Sequence, residues 1–586
     1  MTHHGRRLFL KAILAGVAGA RVLRSAPQPA TARLQFLPGG GASLLWVVTE
    51  RGSGTVSWRY GAHDWTPVTM VVRPLPPEIT GLEAELDLLV ARLPDLPPET
   101  DIEYALEWNG APAGEGAFRT PGPHGPTATF LALGDSGTQM PEQYAIAAAM
   151  NAETDADFVL HVGDMGYPAG SFIDLRDAYL KPYAAQMARI PFYSCPGNHE
   201  YYTDVLRPYM KLRVGPDDEW SYYSVQHGPV HVIAVDSNDP VMPDPELNRM
   251  LQWLERQLAE STSFWRVVIF HHVPYTAGLH KDDEFVDLAR RRLAPLVERY
   301  AVPLVVNGHE HFYQRTCPVK DGLPAPDGAG TTYIVTGGGG APLYPFRVHP
   351  LTAFGDSVFE YVKVHIDGLR MVVTALDRNR VEFDRVAIAP LPAIRDVVNA
   401  ADLRPALAPG SLAVLRGFHF PPDRPVRLRC GGELVDVIDS GAVTTEFQIP
   451  YQAGPILRVQ VDTPNGAVES EVRIVPLAPA LFPADRRSPA VPGSYSAVLA
   501  TGLGTLTGEV PEAPLTLSLS ATLVPASAVP TALPGVFRIE FQVPADVPEP
   551  VMEIRLGAAA EWSAPIVVPV AVPFARPAPP NPEQSA

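Results

Sequence analysis

Cysteine is scarce. Cys195, Cys317 and Cys430 are all there is in 586 residues, an odd and small count that excludes a disulfide framework. Cys195 and Cys317 both fall near loops rich in polar side chains, so a single bridge between them and a pair of buried free thiols both stay open. Basic charge is also short: Lys and Arg number 46 against 64 Asp and Glu, a formal charge of −18. That balance favours solubility and excludes a protein that holds nucleic acid through bulk charge. Long apolar runs are missing too. The run Ala12 to Ala20 is too short for a bilayer-spanning helix and no other segment comes closer, so no membrane span is expected in the mature chain. Proline is plentiful, 64 residues, but it is spread through valine-rich segments and reads as edge strands and turns of β domains.

Ahead of the apolar run stands Arg6-Arg7-Leu8-Phe9-Leu10-Lys11. The stretch resembles a twin-arginine export signal. The resemblance implies that residues 1–26 are a targeting segment, cut after Ala20 or Ala26, and that the folded chain is periplasmic or extracellular.

Residues 30–121 read as all-β, with strand-like runs at Ser43–Val48 and Thr55–Tyr60 between Gly-rich turns. Leu96-Pro97-Pro98-Glu99-Thr100 followed by Tyr104 resembles the tyrosine corner of fibronectin type III sandwiches, although Ile102 stands where the first tyrosine is expected. The aromatic residues here are expected in the core. From 127 to 388 strands and helices alternate. Strands are expected at Thr127–Leu133, Phe158–Val162, Val230–Val235, Val267–Phe270 and Val302–Val306, and a helix at Pro245–Glu260 with Leu247, Leu251, Leu254 and Leu258 on its apolar face. That pattern is an α/β layered domain.

From Pro390 the chain is β-like again and repeats itself. Ala408-Pro409-Gly410-Ser411 is echoed by Val491-Pro492-Gly493-Ser494, and Glu446-Phe447-Gln448-Ile449-Pro450 by Glu540-Phe541-Gln542-Val543-Pro544. Two related β-sandwich modules are expected, over 390–476 and 477–574. They resemble a C-terminal module of secreted bacterial proteins, through Val398 to Ala401 and Ala500 to Gly504, which implies an unknown surface partner. A Pro-rich tail, 575–586, is expected to be disordered.

The chemistry lies at strand ends in the middle domain. In order come Gly134-Asp135-Ser136-Gly137, Gly163-Asp164-Met165-Gly166-Tyr167, Gly197-Asn198-His199-Glu200, His271 after Val268-Ile269-Phe270, and Gly308-His309-Glu310-His311. Each alone has a bland reading as a turn, a helix cap or a surface imidazole. Together they offer carboxylates, an amide, imidazoles and a phenol on consecutive strand-end loops. Phosphoryl transfer needs such a set, because two cations can clamp the phosphate and generate hydroxide at low pH. Asp164 is the candidate bridging carboxylate. Tyr167 is the candidate phenolate ligand. A free phenol ionises near pH 10, so it would bind only a strong Lewis acid, which favours Fe(III) over Mg(II).

This set resembles the metallophosphoesterase superfamily and, with Tyr167, the purple acid phosphatases. The similarity runs from about Ala30 to Ile388. It implies an α/β/β/α catalytic domain over 127–388, flanked by an N-terminal fibronectin type III-like sandwich and the two C-terminal β-sandwich-like modules. It further implies that Asp135, Asp164, Tyr167 and His311 hold Fe(III), and that Asp164, Asn198, His271 and His309 hold one divalent ion, Zn, Fe or Mn. His199 would contact the phosphate. His280 matches a family histidine that protonates the leaving group, or is an exposed histidine before a helix. Gly337 to Gly340 resembles the family's substrate-side glycine loop, or is a flexible turn. The function implied is a secreted acid phosphatase that cleaves phosphate monoesters with a metal-bound hydroxide as nucleophile. The alternatives are a phosphodiesterase or nucleotidase on the same site, and a cell-surface binding protein working through its β modules.

Overall fold

A computed structural model describes residues 32–571 except 37–40, 49–51, 123–124, 205, 213–219, 485–488, 521 and 548–549. The expected export signal, 1–26, and the expected tail, 575–586, lie outside the described residues. The chain divides into two compact units, Met1–Pro390 and Leu391–Ala586.

The first unit opens with a sandwich of two four-stranded sheets. One has the order Arg33–Phe36, Ala42–Val48, Leu86–Leu93, Met70–Leu75; the other has Thr66–Val68, Gly54–Tyr60, Asp101–Trp108, Ala111–Arg119. Asp101–Trp108 alternates as a half-buried strand must, with Ile102, Tyr104, Leu106 and Trp108 inward. Leu86–Leu93 breaks the rule because both its faces are covered. Leu89, Ala91 and Leu93 fill the sandwich, while Leu86, Leu88 and Val90 pack with Phe192, Tyr209 and Leu212 of the next domain. The corner tyrosine, Tyr104, lies in the sandwich core as expected of the aromatic residues here. Its hydroxyl donates across to the carbonyl of Ala188 in the next domain, at 3.1 Å. Tyr104→Phe should therefore loosen this junction by about 1 kcal/mol, the usual net worth of one buried hydrogen bond. An unchanged midpoint in urea would disprove that role.

The middle domain stacks two sheets. The six-stranded one runs Phe192–Ser194, Phe158–His161, Thr127–Leu133, Glu360–Asp367, Arg370–Asp377, Glu382–Ile388. The seven-stranded one runs Tyr223–His227, Val230–Ala234, Trp265–Ile269, Leu304–Asn307, Thr332–Thr336, Tyr313–Thr316, Thr352–Asp356. Phe130, Phe158, Val232, Val267, Ile334 and Val364 fill the space between them. Their neighbours in sequence face outward onto helices. Leu131, Leu133 and Val159 pack with Ile146 and Met150 of helix Pro141–Asn151, and Ile233, Val268 and Val305 with helix Asp244–Glu260. The layers are thus α/β/β/α. Strands buried on both faces read as unbroken apolar runs, which made them visible in sequence. On helix Asp244–Glu260, Met250 takes the buried place expected for Leu251, which sits at the rim.

All three cysteines are free thiols, so Cys195 and Cys317 do not pair.

The second unit starts with two four-stranded sheets built from Ala393–Asn399, Leu412–Phe418, Thr444–Gln448 and Val437–Ser440, and from Glu433–Val435, Arg427–Cys430, Ile456–Thr463 and Gly466–Arg473. After Ala480 the second sandwich-like module follows as expected, with Val498, Ile539 and Phe541 of one layer and Leu517, Ile554 and Leu556 of the other in a single core. The nine-residue strand Thr522–Pro530 pairs with Leu515–Leu519 at one end and Phe537–Gln542 at the other, and so links the two layers into one continuous eight-stranded sheet. The sequence echoes occupy equivalent places. Gly410 and Gly493 both sit at φ near the left-handed region, 76° and 79°, and their amides donate to Ile449 and Val543 at 3.0 Å each. Each Pro-Gly-Ser turn is thereby locked to its Phe-Gln-Ile/Val-Pro strand end.

Candidate metal centre

Parallel pairing places the strand ends together. Thr127–Leu133, Phe158–His161 and Phe192–Ser194 run parallel in one sheet, and Val230–Ala234, Trp265–Ile269 and Leu304–Asn307 in the other. Asp135 and Asp164 begin their loops, both in the left-handed region at φ 54°. Non-glycine residues stay there only when the surroundings hold them. Here the loops hold one another: Asp135 N–H donates to Gly163 O at 3.1 Å, and Gly137 N–H to Asp164 O at 3.3 Å.

The buried carboxyl of Glu200 is the clamp. It accepts from the backbone N–H groups of Asp164, Met165, Gly166 and Gly197, at 2.7 to 3.2 Å. Burial, then the Asp164 charge, push it up to about 7. Glycines give the loops room. A Cβ on Gly197 would lie 2.1 Å from Asp164 Oδ1, and one on Gly308 2.5 Å from Asp135 Oδ2.

The side chains converge on the two carboxylates. Asp164 Oδ2 lies 3.0 Å from the Tyr167 hydroxyl, 3.5 Å from His271 Nε2 and 3.8 Å from His199 Nε2. Asp135 Oδ1 lies 3.4 Å from the Tyr167 hydroxyl, 3.5 Å from His311 Nε2 and 3.9 Å from His271 Nε2. Tyr167 and His311 are 3.1 Å apart. The imidazoles are anchored at their other nitrogen: His271 on Val162 O at 2.7 Å, His311 on Pro342 O at 2.9 Å, and His199 on Pro168 O at 2.6 Å. Donation from Nδ1 leaves the Nε2 lone pair turned to the cluster. His309 donates its backbone N–H to both oxygens of Asp135, at 3.1 and 2.9 Å, and a nitrogen of its ring lies within 4.8 Å of one on His271. Asn198 gives its Nδ2 to the Tyr202 hydroxyl at 2.8 Å, and its neighbour His199 donates N–H to Asp164 Oδ1 at 3.1 Å.

The two carboxylates draw positive charge to the arrangement. Burial opposes ionisation, yet Asp164 and Asp135 raise His271 to about 10, and His271 with His199 holds Asp164 well below the usual carboxylate range. Burial and the same two carboxylates push the Tyr167 phenol well above its ordinary value. Asn198 Oδ1 and His271 Nε2 are buried with no hydrogen bond of normal geometry, which is costly unless something binds them. Two carboxylates, a phenol, an amide oxygen and imidazole nitrogens crowded this closely fit a pair of cations.

His280 stands at the edge of the cluster, its ring 4.2 Å from that of His309 and its Nδ1 2.7 Å from Asp283 Oδ2. Asp283 also faces His309 Nε2 at 3.4 Å. The Gly337 to Gly340 run is buried, not loose. Gly339 N–H donates to Gly134 O at 3.2 Å, and a Cβ on Gly337 would meet Glu310 O at 2.1 Å, so the run backs the ligand loops.

The sequence reading gave Glu200, Glu310, Asp283 and Tyr344 no role. Glu310, between the two histidines of its motif, accepts from Thr276 Oγ1, Leu279 N–H and His280 N–H at 3.0 to 3.1 Å, and so fixes the His280 loop. Tyr344 stacks on His311 with ring centres 4.0 Å apart. An acid inside the third and the fifth of the loop motifs was the available signal for Glu200 and Glu310; nothing local marked Tyr344.

Residues 128–313 match the family model described as calcineurin-like phosphoesterase. The chain carries a calcineurin-like metallophosphoesterase domain. Purple acid phosphatase 3 of Arabidopsis thaliana is 28% identical to it over 247 residues, 37% of this chain and 64% of that protein, so the match spans less than two thirds of this relative. Acid phosphatase type 7 of Homo sapiens is 24% identical over 366 residues, 54% of this chain and 82% of its own length. Among solved structures, purple acid phosphatase from yellow lupin (Lupinus luteus) seeds superposes with a TM-score of 0.55 at 18% identity, covering 61% of this chain and 74% of that one. The metallophosphoesterase domain therefore shares its fold with that protein.

Proposed function

We propose that the chain is a phosphoric monoester hydrolase of the acid phosphatase kind, built on one Fe(III) and one divalent ion, Zn, Fe or Mn. The observation that carries this is the Tyr167 hydroxyl lying within 3.4 Å of Asp135, Asp164 and His311 at once. Asp135, Asp164, Tyr167 and His311 would hold the ferric ion, and Asp164, Asn198, His271 and His309 the divalent one. Bound there, such a pair supplies Lewis acidity for the phosphoryl oxygens and an activated water. The remaining work falls to the chain. His199, fixed by Pro168 O, turns its Nε2 toward the cluster and contacts the phosphate. Burial lowers the affinity of His280 for a proton, but Asp283 outweighs it and raises the group above its ordinary value. His280 thus keeps its proton to higher pH than a free imidazole and can deliver it to the departing oxygen.

Metal-loaded protein should cleave p-nitrophenyl phosphate faster than its bis ester. His199→Ala should keep both ions and lose rate, by about 10²–10⁴-fold if it shares with His280 the protonation of the departing oxygen. A faster bis ester would favour the phosphodiesterase or nucleotidase reading. No cleavage of either with both ions bound would return attention to the C-terminal modules; among the described residues, every group of His, Cys, Asp or Glu able to share a cation lies between Asp135 and His309. No helix of the described residues is long and apolar enough to cross a membrane. Export is part of the proposal and rests on Arg6-Arg7. Replacing both with lysine should strand precursor in the cytoplasm, and normal export of that variant would rule the route out.

A further inference from the structure

Beside the metal centre lies an open cavity of about 510 Å³. One loop borders both. His280 of that loop faces His309, while Thr276, Lys281 and Asp282 line the cavity. Glu310 pins the loop through Thr276 and His280, so the shared border is fixed in place. The opposite wall also starts at the centre: the segment that carries Tyr344, stacked on His311, continues to His349 and Leu351 in the cavity lining.

The cavity is furnished with donors. Arg290 gives its Nε to Pro274 O at 2.7 Å, and its guanidinium pairs with no carboxylate among the described residues. His349 accepts the Leu351 N–H on Nδ1 at 3.2 Å, which places its ring proton on Nε2 as a further donor. Lys281 pairs with Asp282, so those two add no net charge. The balance is one unpaired, planar, permanently charged guanidinium beside an imidazole N–H. That combination suits the oxygens of a phosphate. The volume exceeds one phosphate and leaves space for a carbon skeleton.

We propose that this cavity binds a second phosphate carried by the leaving group, so that the preferred substrates are bisphosphorylated compounds. The proposal rests on the phosphatase reading and names its substrate class. The matched probes are fructose 1,6-bisphosphate and fructose 6-phosphate, with p-nitrophenyl phosphate as a substrate lacking a second phosphate. Arg290→Gln and His349→Gln should each lower kcat/KM for the bisphosphate by about 10-fold more than for either monophosphate, the loss expected for one charge-assisted hydrogen bond. Because Arg290 also braces the Pro274 loop, a second variant leaves that contact alone. Leu323 is 66% exposed on the cavity rim; Leu323→Glu should reproduce the selective loss by charge, and Leu323→Lys should reverse it. Equal effects on all three substrates, or none, would overturn the proposal while leaving the phosphatase intact. If wild-type protein cleaves none of them, the phosphatase reading has failed. Calorimetry of the bisphosphate against metal-loaded wild type and Leu323→Glu then decides the cavity: weaker binding to the variant supports it, and equal binding overturns it.

Discussion

Asp164→Asn should strip at least one metal ion from the protein and lower kcat by about 10³-fold or more, the scale of losing a preorganised electrostatic stabiliser. The reason lies in how much converges on one carboxylate. Oδ2 sits 3.0 Å from the Tyr167 hydroxyl and 3.5 Å from His271 Nε2, while Oδ1 takes the His199 N–H at 3.1 Å. An amide in its place removes a negative charge, and one of its two ends becomes a donor aimed at cations. Both proposed coordination spheres weaken together. The backbone should hold, because Glu200 clamps the loop through the main chain and not through the Asp164 side chain. A Glu200-held loop makes the readout clean: circular dichroism unchanged, metal content down. If Asp164→Asn retains two ions per chain and its full rate, Asp164 does not bridge and the ligand assignment must be redrawn.

Much of the site could be read from sequence for a physical reason. Strands buried on both faces appear as apolar runs, so their ends are conspicuous, and the side chains just beyond them are where a rigid scaffold aims its chemistry. Asp135, Asp164, Asn198, His271, His309 and His311, the proposed ligands, all stand just beyond such runs. Long-range partners were not. Glu200 was in view as the fourth residue of its motif, yet its work is done on the backbone of residues 164–166, some 34 to 36 positions away in sequence. Tyr344 reaches His311 only through the tertiary fold. The same limit explains Tyr104. Its position matched a corner within the sandwich, but its hydroxyl finds Ala188, 84 residues on, because the sandwich packs there against the middle domain. The second C-terminal module shows the converse: Pro-Gly-Ser and Phe-Gln-Val-Pro reported the local turn correctly, while the reach of Thr522–Pro530 across two layers has no local signature.

Tyr167→Phe should remove the colour of the protein. Among the proposed ligands, only a phenolate on Fe(III) gives a ligand-to-metal charge-transfer band in the visible. Iron-loaded wild type is therefore expected to be purple or pink, and iron-loaded Tyr167→Phe colourless. Geometry supports the assignment. The hydroxyl oxygen lies 3.0 Å from Asp164 Oδ2 and 3.1 Å from His311 Nε2, among the other donors proposed for the ferric ion, and not against an apolar wall. Its ring is held from one side by His199, with centroids 4.3 Å apart, so Phe should occupy the same space without repacking. Loss of rate should be smaller than in Asp164→Asn, because six of the seven proposed ligands remain and both carboxylates are untouched. Absorption spectra and metal analysis on the two proteins make the test. A colourless wild type that binds two divalent ions and is fully active would mean that Tyr167 serves only as a hydrogen-bond donor to Asp164. The iron would then leave the proposal, and the metallophosphoesterase domain, which rests on the fold and the carboxylate–imidazole set, would stand without it.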